Sequence, residues 1–231
     1  MKMNLLMTSV LSTSLFLVAC RGGSSDDGPA PTNPSGTPTN NIQNPVVKVE
    51  AYTSTNLGSV AAESSILTYK MLGQSGQEVQ ATSLVFTPNT PPPVGGWPIV
   101  VCAHGTTGVA DACAPSKAAL ADSTKDLISN LLAAGYVVVA PDYEGLGTPG
   151  IHPFLNVKSE AFSITDAVVA TRNYLLQRNL LTSKKWLTVG HSQGGHAALG
   201  AAQYASRAQL DYKGTVAVAP ASYLGFILMA G

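Results

Sequence analysis

From Val46 onward, apolar runs alternate with polar breaks rich in Gly and Pro. Val46 to Tyr52, Ile66 to Leu72 and Val79 to Phe86 read as strands, the last two joined through Gly73-Gln74-Ser75-Gly76. After a proline-rich loop at 87–93 the pattern changes. Trp97 to Cys102 (WPIVVC) is an apolar run of the kind expected from a strand buried on both faces. Tyr136 to Ala140, Lys185 to Val189 and Thr215 to Ala219 predict three more strands. Three helices are predicted between and after them. Ser116 to Ala134 carries Leu120, Leu127, Leu131 and Ala134 at helical spacing and stops at Gly135. Ser159 to Asn179 places Ile164, Val168 and Leu175 on one face, and Gln193 to Ser206 forms the third helix. A strand-rich start followed by β–α alternation predicts an α/β fold. Its sheet is mostly parallel, with helices on both faces and right-handed crossovers. In such sheets active groups gather at the carboxyl ends of strands. HGTTG, PDYEGLG and GHSQGG all fall at such ends.

The first 45 residues do not follow this pattern. Lys2 precedes a moderately apolar stretch, Leu5 to Val18, diluted by Ser and Thr. That is the charge and length profile of an export signal over 1–19. The stretch is too short and too polar for a retained membrane span. It ends in Leu17-Val18-Ala19-Cys20, which resembles the lipobox of bacterial lipoproteins. The resemblance implies cleavage before Cys20 and its lipidation, hence an exported protein anchored to a membrane, periplasmic or on the cell surface. Each buried CH₂ of the acyl chains would contribute about 0.8 kcal/mol to that anchorage. Residues 20–45, which include RGGSSDDGPAPTNPSGTPTNNIQNP, carry almost no apolar side chain. Such a segment cannot offset its ordering entropy by burial, so it reads as a disordered tether to a domain at 46–231.

The whole chain of 231 residues fits one domain with a tail, and 45% hydrophobic against 11% charged residues allows a large core. Formal net charge is zero, with no basic patch to attract nucleic acid. There is no metal-type Cys/His spacing and no signature calling for a cofactor. Oligomeric state is not legible. Outside the cytoplasm Cys102 and Cys113 are expected to pair, closing a short loop around HGTTG, with two buried free thiols as the alternative; sequence alone does not give the geometry.

The most informative stretch is WLTVGHSQGGHAALGAA, residues 186–202. A strand meets Gly190-His191-Ser192-Gln193-Gly194 and then a helix, the context that turns G-x-S-x-G into a nucleophile elbow. The glycines two residues either side of Ser192 let strand and helix approach closely. The backbone N–H of Gln193 opens the helix where an oxyanion would form. His104-Gly105 adds an independent signal: the next N–H, that of Thr106, would complete the oxyanion hole. His104 itself reads as a loop-organising residue.

VVCAHGTTG, VVVAPDYEGLG and TVGHSQGGHAAL, in this order and spacing, resemble the secretory lipase family of α/β-hydrolases over roughly residues 60–220. The resemblance implies a serine ester hydrolase acting on acylglycerols or shorter acyl esters, with Ser192 as nucleophile and Thr106 and Gln193 as oxyanion donors. Asp142, Tyr143 and Glu144 match the family's PDYEG and are expected to shape a loop. His104, Tyr143 and His152 are candidates to border the pocket, although a surface-loop role fits His152 equally.

In this fold the triad runs Ser, acid, His along the chain. After Ser192 the sequence offers only Asp211 and His196. Asp211 falls at the amino end of its strand. His196 lies one helical turn from Ser192, so it reads as a packed helix residue. The expectation is therefore that the family's last two strands, with the acid and the histidine, are missing from this chain, and that the chain alone is inactive. Two rival readings share the elbow: a serine peptidase of the prolyl-oligopeptidase kind, and a non-catalytic lipoprotein that keeps the scaffold.

Overall fold

The computed structural model describes residues 36–222. The export segment, Cys20, most of the expected tether and the apolar end at 223–231 lie outside the described residues. No helix among the described residues is long and apolar enough to cross a membrane.

The strands are β1 (Val46–Ala51), β2 (Ala61–Leu72), β3 (Glu78–Pro88), β4 (Trp97–Ala103), β5 (Val137–Pro141), β6 (Thr182–His191) and β7 (Asp211–Val218). They form one sheet in the order β1-β2-β3-β5-β4-β6-β7. The first three are antiparallel, and β3 meets β5 antiparallel. From β5 through β4 and β6 to β7 every pairing is parallel. The predicted mixed architecture is observed, with the parallel half at 97–218.

Alternation along the strands splits the core in two. Val100, Cys102, Val138, Leu84 and Phe86 point to the face covered by α1 (Asp122–Ala133) through Ile128 and Leu132. Ile99, Val101, Val137, Val139 and Val85 point to the opposite face, covered by α2 (Val157–Gln177) and α3 (Gln193–Gln203). Each fully buried Val, Leu or Ile contributes roughly 1.5–3 kcal/mol relative to exposure, which holds both layers to the sheet. The helices therefore lie on both faces, as the pattern predicted.

Several boundaries differ from the sequence reading, three of them for a reason visible in the structure. Helix α1 starts at Asp122 because residues 115–117 form a 3-10 turn, and its buried positions are Ile128 and Leu132, while Leu127 is exposed. Helix α2 is capped by Asn156, whose side chain accepts from the Ser159 N–H, so it starts at Val157. The expected tether over 20–45 is not free in its last part. The N–H of Asn40 donates to the Arg207 carbonyl at 3.0 Å, and Arg207 Nη1 donates to the Pro38 carbonyl at 2.8 Å. Polar side chains and backbone fasten residues 38–40, and hydropathy does not register such contacts.

At the far edge, β7 exposes Val216 and Val218 to about half of their surface. Asp211 opens β7 and pairs with Lys213 at 2.8 Å, at the amino end of the strand.

Candidate active site

The HGTTG loop and the elbow converge beyond the carboxyl ends of β4 and β6, and PDYEGLG follows β5 on the same side. Ser192 joins β6 to α3 with φ 58° and ψ −121°, a conformation that side chains rarely adopt. Such a residue costs about 1–3 kcal/mol and persists only where its surroundings fix it. Here the Ser192 N–H donates to the Val218 carbonyl at 3.0 Å, and the Ser192 carbonyl accepts from His196 N at 3.0 Å and Ala221 N at 3.2 Å.

Close approach explains two of the glycines. A Cβ on Gly190 would stand 2.1 Å from the Gly194 carbonyl oxygen. One on Gly194 would stand 2.0 Å from the oxygen of Ala103, at the end of β4. Neither position admits a side chain without moving backbone. A Cβ on Gly105 would lie 3.8 Å from the Ser192 Cβ, so the HGTTG loop runs beside the elbow with Thr106 next in line and exposed. Gln193 opens α3, where the first N–H groups have no intrahelical partner. Gly105, which precedes Thr106, lies beside Ser192, and Gln193 follows that serine at the start of α3.

The expected loop-shaping residues are buried behind this surface. Asp142 accepts from Thr82 Oγ1 at 2.6 Å and from the Ser116 N–H at 2.9 Å. Burial nevertheless holds its carboxyl above the usual range, with those hydrogen bonds pulling it back. Glu144 accepts from Gln74 N at 2.9 Å and from Ser159 Oγ, tying the β2–β3 turn to the start of α2. Tyr143, at φ 71° and fully buried, donates to the His104 carbonyl at 3.0 Å.

His104 stacks on Tyr143 at 4.3 Å. Its Nδ1 meets the Gly105 carbonyl at 2.6 Å and its Nε2 the Asp142 carbonyl at 3.3 Å. Burial pushes its imidazole below the ordinary value, against the pull of Gly105 and Asp142. Its ring thus joins the HGTTG loop to the turn after β5. For His152 the surface-loop reading is corrected. It is buried, its ring 6.3 Å from that of Tyr143, with Nδ1 on the Glu144 carbonyl at 2.8 Å.

The cysteines give a second correction. Cys102 and Cys113 are free thiols. Cys102 points from β4 into the α1 core, and burial pushes its thiol up to about 12. Cys113 instead packs over Gly108, filling the place a side chain there would take.

Sequence reasoning missed Glu160. It is buried on the first turn of α2, and its carboxylate faces α3. Oε1 accepts from Gln193 Nε2 at 2.9 Å, and Oε2 meets His196 Nδ1 at 2.7 Å. Gln193 Nε2 also meets His152 Nε2 at 3.2 Å. The only signal in the sequence was an acidic residue in the first turn of a helix, which ordinarily reads as a solvated dipole partner. Among the described residues no group of His, Cys, Asp and Glu could hold a metal ion.

A mixed sheet covered on both faces, with a strained serine between close-packed glycines beyond its parallel strands, defines an α/β-hydrolase fold. The solved structures it resembles carry that fold. One is a rice cell wall degrading esterase LipA from Xanthomonas oryzae: TM-score 0.62, 24% identity, 78% of this chain and 51% of that one. Another is Candida antarctica lipase A in its closed state: TM-score 0.60, 26% identity, 82% of this chain and 45% of that one. Residues 114–228 match the family model described as secretory lipase, in line with the resemblance carried by the motifs. No curated protein matches the chain. The chain spans about half the length of the structures it matches.

Proposed function

We propose that this chain carries the nucleophile of a serine ester hydrolase of the lipase and esterase class, acting on acylglycerols or shorter acyl esters. Ser192 Oγ attacks the ester carbonyl. The negative charge that develops on its oxygen faces the N–H groups of Thr106 and Gln193, and the alcohol leaves. Water then hydrolyses the acyl-enzyme on Ser192. The observation that carries this reading is Ser192 at φ 58°, held beside the HGTTG loop by glycines that admit no side chain. The match to a secretory lipase family and the likeness to a lipase and an esterase support it.

A serine hydroxyl needs a base. His104 and His152 are occupied by carbonyl groups, and His196 by Glu160. His191 is exposed and immediately precedes Ser192, whereas in this fold the triad histidine follows the nucleophile and the acid along the chain. On this reading the base and its acid come from the whole protein outside residues 36–222. The protein is exported and held at a membrane by acyl chains on Cys20, a reading supported by LVAC and the secretory family match.

The test is Ser192→Ala in the full-length protein, assayed on short-chain p-nitrophenyl esters and with a fluorophosphonate label. The change removes one hydroxyl oxygen. Losing a nucleophile should lower kcat by about 10⁶, as in a comparable triad, and abolish labelling. Near-normal turnover in this variant would remove the assignment.

A further inference from the structure

We propose that Glu160 is a positioning residue for the oxyanion hole: its buried carboxylate clamps the first turn of α3 so that the Gln193 N–H faces the reacting carbonyl. The proposal rests on the reading of Ser192 as nucleophile and of Gln193 N–H as donor.

Three observations carry it. First, Glu160 is 1% exposed, and both of its oxygens are spent on α3, at the residue after Ser192 and at the residue one turn further. Acidic residues in the first turn of a helix commonly face water. This one faces a neighbouring helix.

Second, the hydrogen-bond inventory leaves one arrangement. The Glu144 carbonyl can only accept, so His152 Nδ1 carries the proton and its Nε2 lone pair is left to accept from Gln193 Nε2. The two amide protons of Gln193 are then divided between Glu160 and His152. Turning the amide over would set its oxygen against the Glu160 carboxylate.

Third, Gln193 Oε1 is buried and has no hydrogen-bond partner. A buried acceptor left unpaired costs at least as much as an ordinary hydrogen bond contributes. The side chain therefore adds little net stability, while its Nε2 fixes the orientation of its own backbone. Elsewhere α2 and α3 meet through small apolar contacts at Gly200, where a Cβ would stand 2.9 Å from the Val157 carbonyl oxygen. That seam sets the separation of the helices but not the direction of the first N–H.

Oxyanion donors act over a narrow range of geometry. A misplacement on the order of 1 Å can cost 10²-fold, and loss of one donor about 10²–10³. Glu160→Ala in the full-length protein should therefore lower kcat on a short-chain p-nitrophenyl ester roughly 10- to 100-fold with KM little changed. Glu160→Gln keeps an oxygen toward Gln193 Nε2 and should restore most of that kcat. Gln193→Met keeps the backbone donor, removes the tie, and should reproduce the loss. Ile128→Val, in α1 on the opposite face of the sheet, loosens the core without touching the clamp, so it should lower the thermal midpoint and leave kcat near wild type.

A folded Glu160→Ala protein with wild-type kcat overturns the proposal, as does a rise in KM at constant kcat. If Glu160→Ala does not fold, Gln193→Met decides, and wild-type kcat there overturns it. Equal loss in Ile128→Val would reassign the effect to general stability and overturn it too. Ester turnover that survives Ser192→Ala would instead overturn the underlying reading, and this proposal with it. Normal Glu160→Ala activity beside a dead Ser192→Ala overturns this proposal alone.

Discussion

Replacing Arg207 with methionine would strand a carboxylate inside the protein. Asp166, on α2, is 0% exposed, and Arg207 grips it with two bonds of 2.8 Å, from Nε and Nη2. Only the Leu72 N–H, at 3.0 Å, and Asn40 Nδ2, at 2.8 Å, would remain. The guanidinium also lies 4.4 Å over the Phe162 ring, a place that a methionine thioether can fill. The loss is therefore electrostatic more than steric. Breaking a buried pair from one side costs about 3–5 kcal/mol. In a chain of this size each kcal/mol moves Tm by about 2–4 °C, so the midpoint should fall by roughly 10 °C. Asp166→Asn combined with Arg207→Met removes both charges and keeps an acceptor for Leu72, so it should recover more than half of the loss. The pH dependence follows from the direction of the shift. Burial already holds the Asp166 carboxyl above its usual range, against the pull of Arg207. Without Arg207 it rises further, and the folded state then binds more protons than the unfolded state. The variant should gain stability relative to wild type as pH falls from 7 toward the ordinary carboxylate range. Denaturant or thermal unfolding of wild type, single and double variants at pH 7 and pH 5 measures all of this. A single variant within about 1 kcal/mol of wild type at pH 7, or a gap that does not change with pH, would refute the reasoning.

Cysteine mapping by mass spectrometry should find Cys20 acylated and N-terminal, Cys113 open to iodoacetamide, and Cys102 silent until the protein unfolds, because burial holds that thiol at about 12. A Cys102–Cys113 disulfide, or an unmodified peptide running through Cys20, would overturn the corresponding assignment. Gly190→Ala should destabilise the fold by at least the roughly 1–3 kcal/mol typical of overpacking and slow fluorophosphonate labelling, since the new Cβ meets the Gly194 carbonyl oxygen at 2.1 Å. An unchanged melting curve with unchanged labelling would show that strand and helix are not held as closely as described.

Much of the frame was legible in order along the chain. The apolar runs at Trp97–Cys102 and Tyr136–Ala140 had to be buried strands, because a continuous apolar stretch between Gly- and Pro-rich breaks has no solvated face. Gly190, Gly194 and the strand before them marked the elbow, because a local steric constraint leaves a local signature. HGTTG was legible for the same reason.

Pairings between distant residues were not legible. Asp166 and Arg207 are 41 positions apart, and Glu160 lies 33 before Gln193. Each charge in the sequence looks like a solvated surface residue, since charged side chains usually are. Only the packing of α2 against the sheet and α3 takes water away from them and makes a partner obligatory. The cysteines show the converse. Export suggested a bridge, but β4 turns Cys102 into the α1 core while Cys113 sits over Gly108. Likewise His152 read as a loop residue until the fold buried it beneath Tyr143 and against Gln193. The sequence by itself determined the order of the elements and the strained turn at Ser192, because periodicity and steric freedom are properties of neighbours along the chain. The tertiary structure alone decided which charges are buried and which groups they hold, because desolvation depends on everything that packs around a residue.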